Sequence, residues 1–164
     1  MKTAILYYSR TGNTENAAEL IENKLKDKES DIDLIKIKTK KRPGFFKANK
    51  AAVKQNKLPI QNSTFDLSDY DKIIIGVPSW ASHPAPFYKT FINKSIGINN
   101  QRFSIFITGS RSINSNKPAI ESMKNELFKL GVINIEAELI LKMRKGKIVD
   151  GKNKIDSFIN KIGG

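Results

Sequence analysis

Two hydrophobic periods alternate along this chain. Thr3-Ala4-Ile5-Leu6-Tyr7-Tyr8 is an apolar run that predicts a strand, and Ala17, Ala18, Leu20, Ile21 and Leu25 then recur at helical spacing. Near-alternation over residues 32–38 predicts a strand close to a sheet edge. Residues 70–77, Tyr-Asp-Lys-Ile-Ile-Ile-Gly-Val, form the strongest strand signal, a β-branched run that predicts burial on both faces. Phe87, Phe91 and Ile92 mark the helix after it. A strand is predicted over residues 102–107, then an amphipathic helix carrying Ala119, Met123, Leu127, Phe128 and Leu130 and ending at Gly131. Residues 132–141 predict a fifth strand, and Ile155, Phe158, Ile159 and Ile162 a last helix within residues 152–162.

Strand and helix thus alternate five times, which predicts an α/β fold with a parallel sheet covered on both faces. The one irregular piece is the connection over residues 39–62. It is basic, broken at Pro43-Gly44, and carries a short helical pattern through Phe45, Phe46, Ala48, Ala51, Ala52 and Val53. It reads either as a contact surface or as a solvated linker. No internal repeat interrupts the pattern, and 164 residues fit a single domain over 1–164.

Composition narrows the class. Hydrophobic content of 39% and charged content of 27% are those of a soluble globular protein. No apolar run nears the ~18 residues of a membrane span. The start of the chain resembles neither a secretory signal nor a transit peptide, so a cytoplasmic location is the default expectation. No cysteine is present, which excludes disulfides, thiolate catalysis and cysteine-bound metal. A single histidine leaves no metal site to expect. The net charge is +13, from 29 basic and 16 acidic residues. The lysines are dispersed rather than clustered with aromatics, which argues against nucleic acid; such a surface favours acidic partners.

Candidate chemistry falls in the loops after strands one, three and four, where doubly wound sheets bind ligands. The first is Ser9-Arg10-Thr11-Gly12-Asn13-Thr14, between the first strand and first helix. Its hydroxyls, amide and flexible glycine precede a helix N-terminus, whose unpaired N–H groups and positive dipole end suit an anion such as phosphate. The simpler alternative is helix capping by Thr11 or Asn13. The second is Pro78-Ser79-Trp80-Ala81-Ser82-His83, with the only tryptophan and the only histidine; the third is Thr108-Gly109-Ser110-Arg111.

These motifs resemble the flavodoxin family over essentially the whole chain. Ser9-x-Thr11-Gly12-Asn13-Thr14 matches that family's phosphate loop, and residues 70–80 resemble its third strand and flavin loop. The resemblance implies a three-layer, five-stranded doubly wound parallel sheet of order 2-1-3-4-5, of the short-chain kind, binding FMN. It implies that the first loop holds the phosphate, that Trp80 stacks on the flavin ring, and that backbone N–H groups of Gly109 and Ser110 bond its pyrimidine edge. Arg10 occupies a variable position of that loop.

The sequence also departs from the family. Residues 111–116 lack the aromatic that often covers the second flavin face, and Arg111 lies either against the ring or on the surface. Ala81 stands where glycine is frequent, making positive φ more costly. Ser82 and His83 replace a frequent carboxylate, so the second electron should enter more easily and the two one-electron potentials should lie closer together. His83 either bonds the flavin edge, assists proton transfer, or lies at the surface. The leading functional expectation is an electron carrier docking on acidic redox partners; the alternative is an FMN-dependent NAD(P)H or quinone oxidoreductase.

Overall fold

The computed structural model describes residues 1–28, 31–40, 44–54 and 56–163. The chain runs β1 (Lys2–Tyr7), α1 (Asn13–Leu25), β2 (Asp31–Lys36), α2 (Phe45–Val53), β3 (Phe65–Asp66), β4 (Lys72–Trp80), β5 (His83–Pro84), α3 (Phe87–Lys94), β6 (Ser95–Ile96), β7 (Arg102–Gly109), α4 (Ile113–Lys129), β8 (Ile135–Arg144), β9 (Lys147–Asp150) and α5 (Ile155–Ile162).

The main sheet has the order β2-β1-β4-β7-β8-β9, with β5 paired to β4. From β2 to β8 every pairing is parallel. Those strands are the predicted five, in the predicted order. The sheet is larger than expected because β8 folds back into antiparallel β9 and β4 into antiparallel β5. A separate two-stranded ladder joins β3 to β6.

Each sheet face carries its own core, as alternating side chains of doubly covered strands require. Ile5, Ile74 and Phe106 pack with Ala18, Ile21, Phe158 and Ile162, under α1 and α5. Leu6, Ile75 and Ile107 pack on the other side with Phe87, Phe91, Ile120 and Met123, under α3 and α4. Gly76 is where a side chain would obstruct the first core: a Cβ there would lie 1.8 Å from the Phe106 ring. Lys72 is fully buried at the start of β4, and its Nζ donates to the Ile162 carbonyl at the end of α5. A cation suits a helix C-terminus, where carbonyls lack intrahelical partners.

Several boundaries differ from the sequence pattern. The third predicted strand extends through Pro78, Ser79 and Trp80, which were expected in a loop. The β1 pairing has stopped at Gly76, so the missing N–H of Pro78 leaves no gap in that ladder. The fifth predicted strand begins at Ile135 rather than Val132. Gly131, at φ +90°, turns the chain out of α4, and Val132 N still donates to Leu127 O. The basic connection is folded where it is described: Ala48, Ala51 and Ala52 of α2 are buried, and a bridge joins Thr39 to Ile60. Lys41, Arg42 and Pro43, which carry part of its predicted basic run and break, lie outside the described residues.

Candidate functional site

Adjacent parallel strands β1, β4 and β7 end at one edge of the sheet, so topology alone brings the three predicted loops together. The first loop turns at Gly12, whose φ of +89° favours glycine; its N–H donates to Ser9 Oγ at 3.1 Å. Gly12 O accepts the first helical bond of α1, from Asn16 N at 2.9 Å. The N–H groups of residues 13–15 precede any intrahelical acceptor and are the ones an anion would meet. Neither Thr11 nor Asn13 caps this helix: the cap is Gly12, without a side-chain bond.

Thr14 is buried, and its hydroxyl lies 2.7 Å from that of Thr108 at the end of β7. Each hydroxyl retains further capacity, since one O–H can donate while its oxygen accepts. Asn13 has a partner that the sequence pattern did not indicate. Its Oδ1 accepts from Gly146 N, at 2.8 Å, in the β8–β9 turn.

Glu15, in the first turn of α1, accepts from both Tyr7 Oη at 2.8 Å and Lys36 Nζ at 2.7 Å. The Lys36 ammonium holds the Glu15 carboxyl below its ordinary range, Tyr7 adding to this and partial burial opposing it. Burial, reinforced by Glu15, pushes the Tyr7 phenol up. Lys36 thus offsets the one acidic group in a helix turn that should favour an anion.

The second loop is a tight hairpin. Trp80 pairs with His83 and Ser79 with Pro84, leaving Ala81 and Ser82 at the turn with φ of 50° and 65°. Positive φ at both central residues is the pattern of a type I′ turn, usually filled by Asn-Gly or Asp-Gly. Ala81 therefore occupies the backbone region that the sequence comparison marked as costly, held there by the strand pairs and by Ala85 N donating to Pro78 O at 2.9 Å. The rings of Tyr8 and Phe87 meet Trp80 nearly perpendicular, at 5.9 and 6.1 Å between centroids. They fix its orientation at the site. Arg10 places its guanidinium carbon 5.8 Å from the Trp80 ring centroid. The variable residue of the first loop thus lies against the second loop's aromatic. His83 is half-buried beside them.

The third loop is tied down by Asn116. This buried side chain donates from Nδ2 to Arg111 O at 3.3 Å and Ser112 O at 3.0 Å. A Cβ on Gly109 would lie 2.7 Å from Asn116 Nδ2, so the strand end and the helix interlock only with glycine there. Ser112 caps α4, accepting from Ser115 N. Ser110 and Arg111 are exposed at the rim. Asn116 and Gly146 are among the residues that sequence reasoning missed. Asn116 had a signal: a polar side chain in the inward row that continues to Ala119, Ile120 and Met123. Gly146 had none beyond Lys-Gly as a turn pair.

The residues present fit a flavin mononucleotide. The donor set at the first loop is hydroxyls, an amide and backbone N–H groups, suited to a phosphate. Ser79 Oγ, at the sheet edge beside Trp80, is buried with no hydrogen-bond partner among the described residues, as a ligand-facing hydroxyl would be. Among those residues no cluster of three metal-ligating side chains occurs, and no helix is long and apolar enough to cross a membrane.

Comparison with known proteins agrees with this geometry. A search of curated protein sequences finds no match. Among solved structures, the chain is similar to a flavoprotein from Lactobacillus acidophilus NCFM in complex with FMN, at 23% identity and TM-score 0.69, covering 96% of this chain and 97% of that one. It is similar to oxidised flavodoxin 2 from Bacillus cereus, at 18% identity, TM-score 0.64 and 99% and 97% coverage. The flavodoxin of Streptococcus pneumonia TIGR4 is similar at 16% identity, TM-score 0.63 and 99% and 95% coverage. The sequence model of one family, NADPH-dependent FMN reductase, matches residues 1–145, a span that includes all three loops. The chain belongs to this NADPH-dependent FMN reductase family, as an FMN-binding flavoprotein with a flavodoxin-like fold.

Proposed function

We propose that this protein is an FMN-dependent oxidoreductase that accepts reducing equivalents from NAD(P)H and passes them to a second acceptor. The observation that carries this reading is the family match through all three loops. The site's own features support it. Trp80, fixed by Tyr8 and Phe87, would cover one face of the flavin. The third loop presents Ser110, Arg111 and Ser112, none aromatic, so the opposite face is left accessible to a nicotinamide. Arg10 and Arg111 at the rim suit an anionic dinucleotide.

Bound FMN supplies hydride acceptance and release of electrons singly or in pairs. The chain's own residues supply binding and electrostatics. Residues 9–14 and the start of α1 hold the phosphate. The backbone at Gly109 and Ser110 orients the pyrimidine edge, with Asn116 fixing that loop from behind. Arg10 and Arg111 offset negative charge gained on reduction. His83, half-buried and paired with Trp80 across the second-loop turn, would be the side chain available to bond a flavin atom or relay a proton.

A second reading is an electron carrier docking on acidic partner proteins. It is favoured by likeness to flavodoxins along nearly the full length of both chains; at a net charge of +13 its docking partners would have to be acidic. Steady-state oxidation of NADPH and NADH, with quinone and free flavin as acceptors, separates the two. Turnover that saturates in the nicotinamide and is lost in the flavin-stripped protein supports the reductase. Stable flavin binding without turnover supports the carrier.

A further inference from the structure

The β8–β9 hairpin lies on the far side of the fold's chain order from the phosphate loop, yet the two are joined by a double hydrogen bond. Gly146 donates its N–H to Asn13 Oδ1 at 2.8 Å and accepts at its carbonyl from Asn16 Nδ2 at 3.1 Å. Both backbone groups of one residue are therefore held by two side chains of the first turn of α1. The turn is built for this contact. Lys145 and Gly146 have φ of 48° and 78°, and a Cβ on Gly146 would lie 3.0 Å from Asn16 Nδ2. Met143, at the root of the hairpin, is buried in the same core as Ala17 and Tyr7, so the contact is anchored from beneath.

The bond to Gly146 decides which end of the Asn13 amide meets an anion. A side-chain amide carries an acceptor oxygen and a donor NH2 on opposite branches. A backbone N–H can pair only with the oxygen. With Oδ1 taken by Gly146, the branch left for a phosphate is Nδ2, a donor; the reverse orientation would turn a partial negative charge on the ligand. In the hairpin, Gly146 is flanked by exposed Arg144, Lys145 and Lys147.

We propose that the β8–β9 hairpin, through Gly146 and Asn16, is the positioning element that turns the Asn13 amide donor toward the flavin phosphate, and so sets preference for FMN over riboflavin. This rests on the FMN reading of the loop. Asn16 acts through Asn13 and the hairpin, and is a positioning residue.

The test is a titration of the flavin-stripped full chain with FMN and, separately, with riboflavin, followed by quenching of flavin fluorescence. The two ligands share the ring and differ by the phosphate. Wild type should favour FMN. Asn13→Asp keeps an acceptor for Gly146 but replaces the donor with a charge, and should weaken FMN about tenfold or more while leaving riboflavin within about twofold. Asn16→Ala, which leaves Asn13 in place, should weaken FMN severalfold and spare riboflavin. An Asn16→Ala protein with the wild-type FMN-to-riboflavin ratio overturns the proposal, as does one in which both ligands weaken together. Wild type without preference for FMN overturns the phosphate reading of the loop itself, a separate and earlier failure.

Discussion

Thr14 and Thr108 share a buried hydrogen bond, 2.7 Å between hydroxyl oxygens, across 94 positions of sequence. It joins the start of α1 to the end of β7, and so fixes the first loop against the loop proposed to meet the flavin's pyrimidine edge. Removing one partner leaves the other hydroxyl buried and unpaired, which costs about 1–3 kcal/mol. Thr14→Val and Thr108→Val should each destabilise the protein by that amount. The double variant should lose less than the sum. Urea unfolding of the four proteins checks this; strict additivity would show that the two hydroxyls do not depend on each other.

The hairpin at Ala81 and Ser82 stores backbone strain beside the proposed flavin site. Two non-glycine residues at positive φ each cost on the order of 1 kcal/mol. Ala81→Gly or Ser82→Gly should relieve it and raise Tm by roughly 2–4 °C. A calorimetric scan that shows either glycine variant melting lower would mean that the turn's side chains contribute more than the strain costs.

Trp80 and Arg10 should act differently on the cofactor. Trp80→Ala removes a stacking face and should weaken FMN about tenfold, equivalent to ~1.4 kcal/mol. Arg10→Gln removes a cation lying against the Trp80 ring, and should make the flavin harder to reduce by about 1 kcal/mol with a smaller effect on affinity of the oxidised form. Equilibrium titration against a redox dye, with and without each substitution, separates binding from potential. An unchanged potential in the Arg10 variant would remove that residue from the electrostatic account.

Stability should fall at both ends of the pH range, for two identified groups. Glu15 is held below its ordinary value of 4.5, chiefly by Lys36. A carboxyl lowered in the fold contributes stability above its unfolded value, lost as pH falls through its folded value. Glu15→Gln should therefore flatten the limb below about pH 4.5. Tyr70 is pushed up to about 12 from 10.0, by burial first and then by Asp33, to which it donates. Its contribution is present below pH 10.0 and lost as pH rises through about 12. Tm measured against pH for wild type, Glu15→Gln and Tyr70→Phe tests both limbs.

The parallel core was legible because its signals are local. The run Ile73-Ile74-Ile75 cannot face water on either side, and each helix shows its inward row. The first loop's place between strand and helix was legible for the same reason: strand, Thr-Gly-Asn-Thr and helix are contiguous. What escaped was pairing between distant segments. Pro78 argued against a strand, yet residues 78–80 continue one because β5 returns beside them and β1 has already ended. Strand β9 and the contacts of Gly146 to Asn13 and Asn16 depend on where a late hairpin lands, and no periodicity in residues 142–150 encodes that. Asn116 lay between these cases, visible as a polar residue in an apolar row but with partners that only the folded chain reveals.

The central claim is that FMN held by these three loops is reduced by a nicotinamide bound at the open face. It is tested most directly by mixing FMN-loaded protein with excess NADPH, and separately NADH, without oxygen, and following the flavin absorbance. The account predicts prompt bleaching with a rate that saturates in the nicotinamide, slowed in the Arg111→Gln variant. Flavin that stays oxidised in excess NADPH and NADH, yet is reduced readily by dithionite, would contradict it.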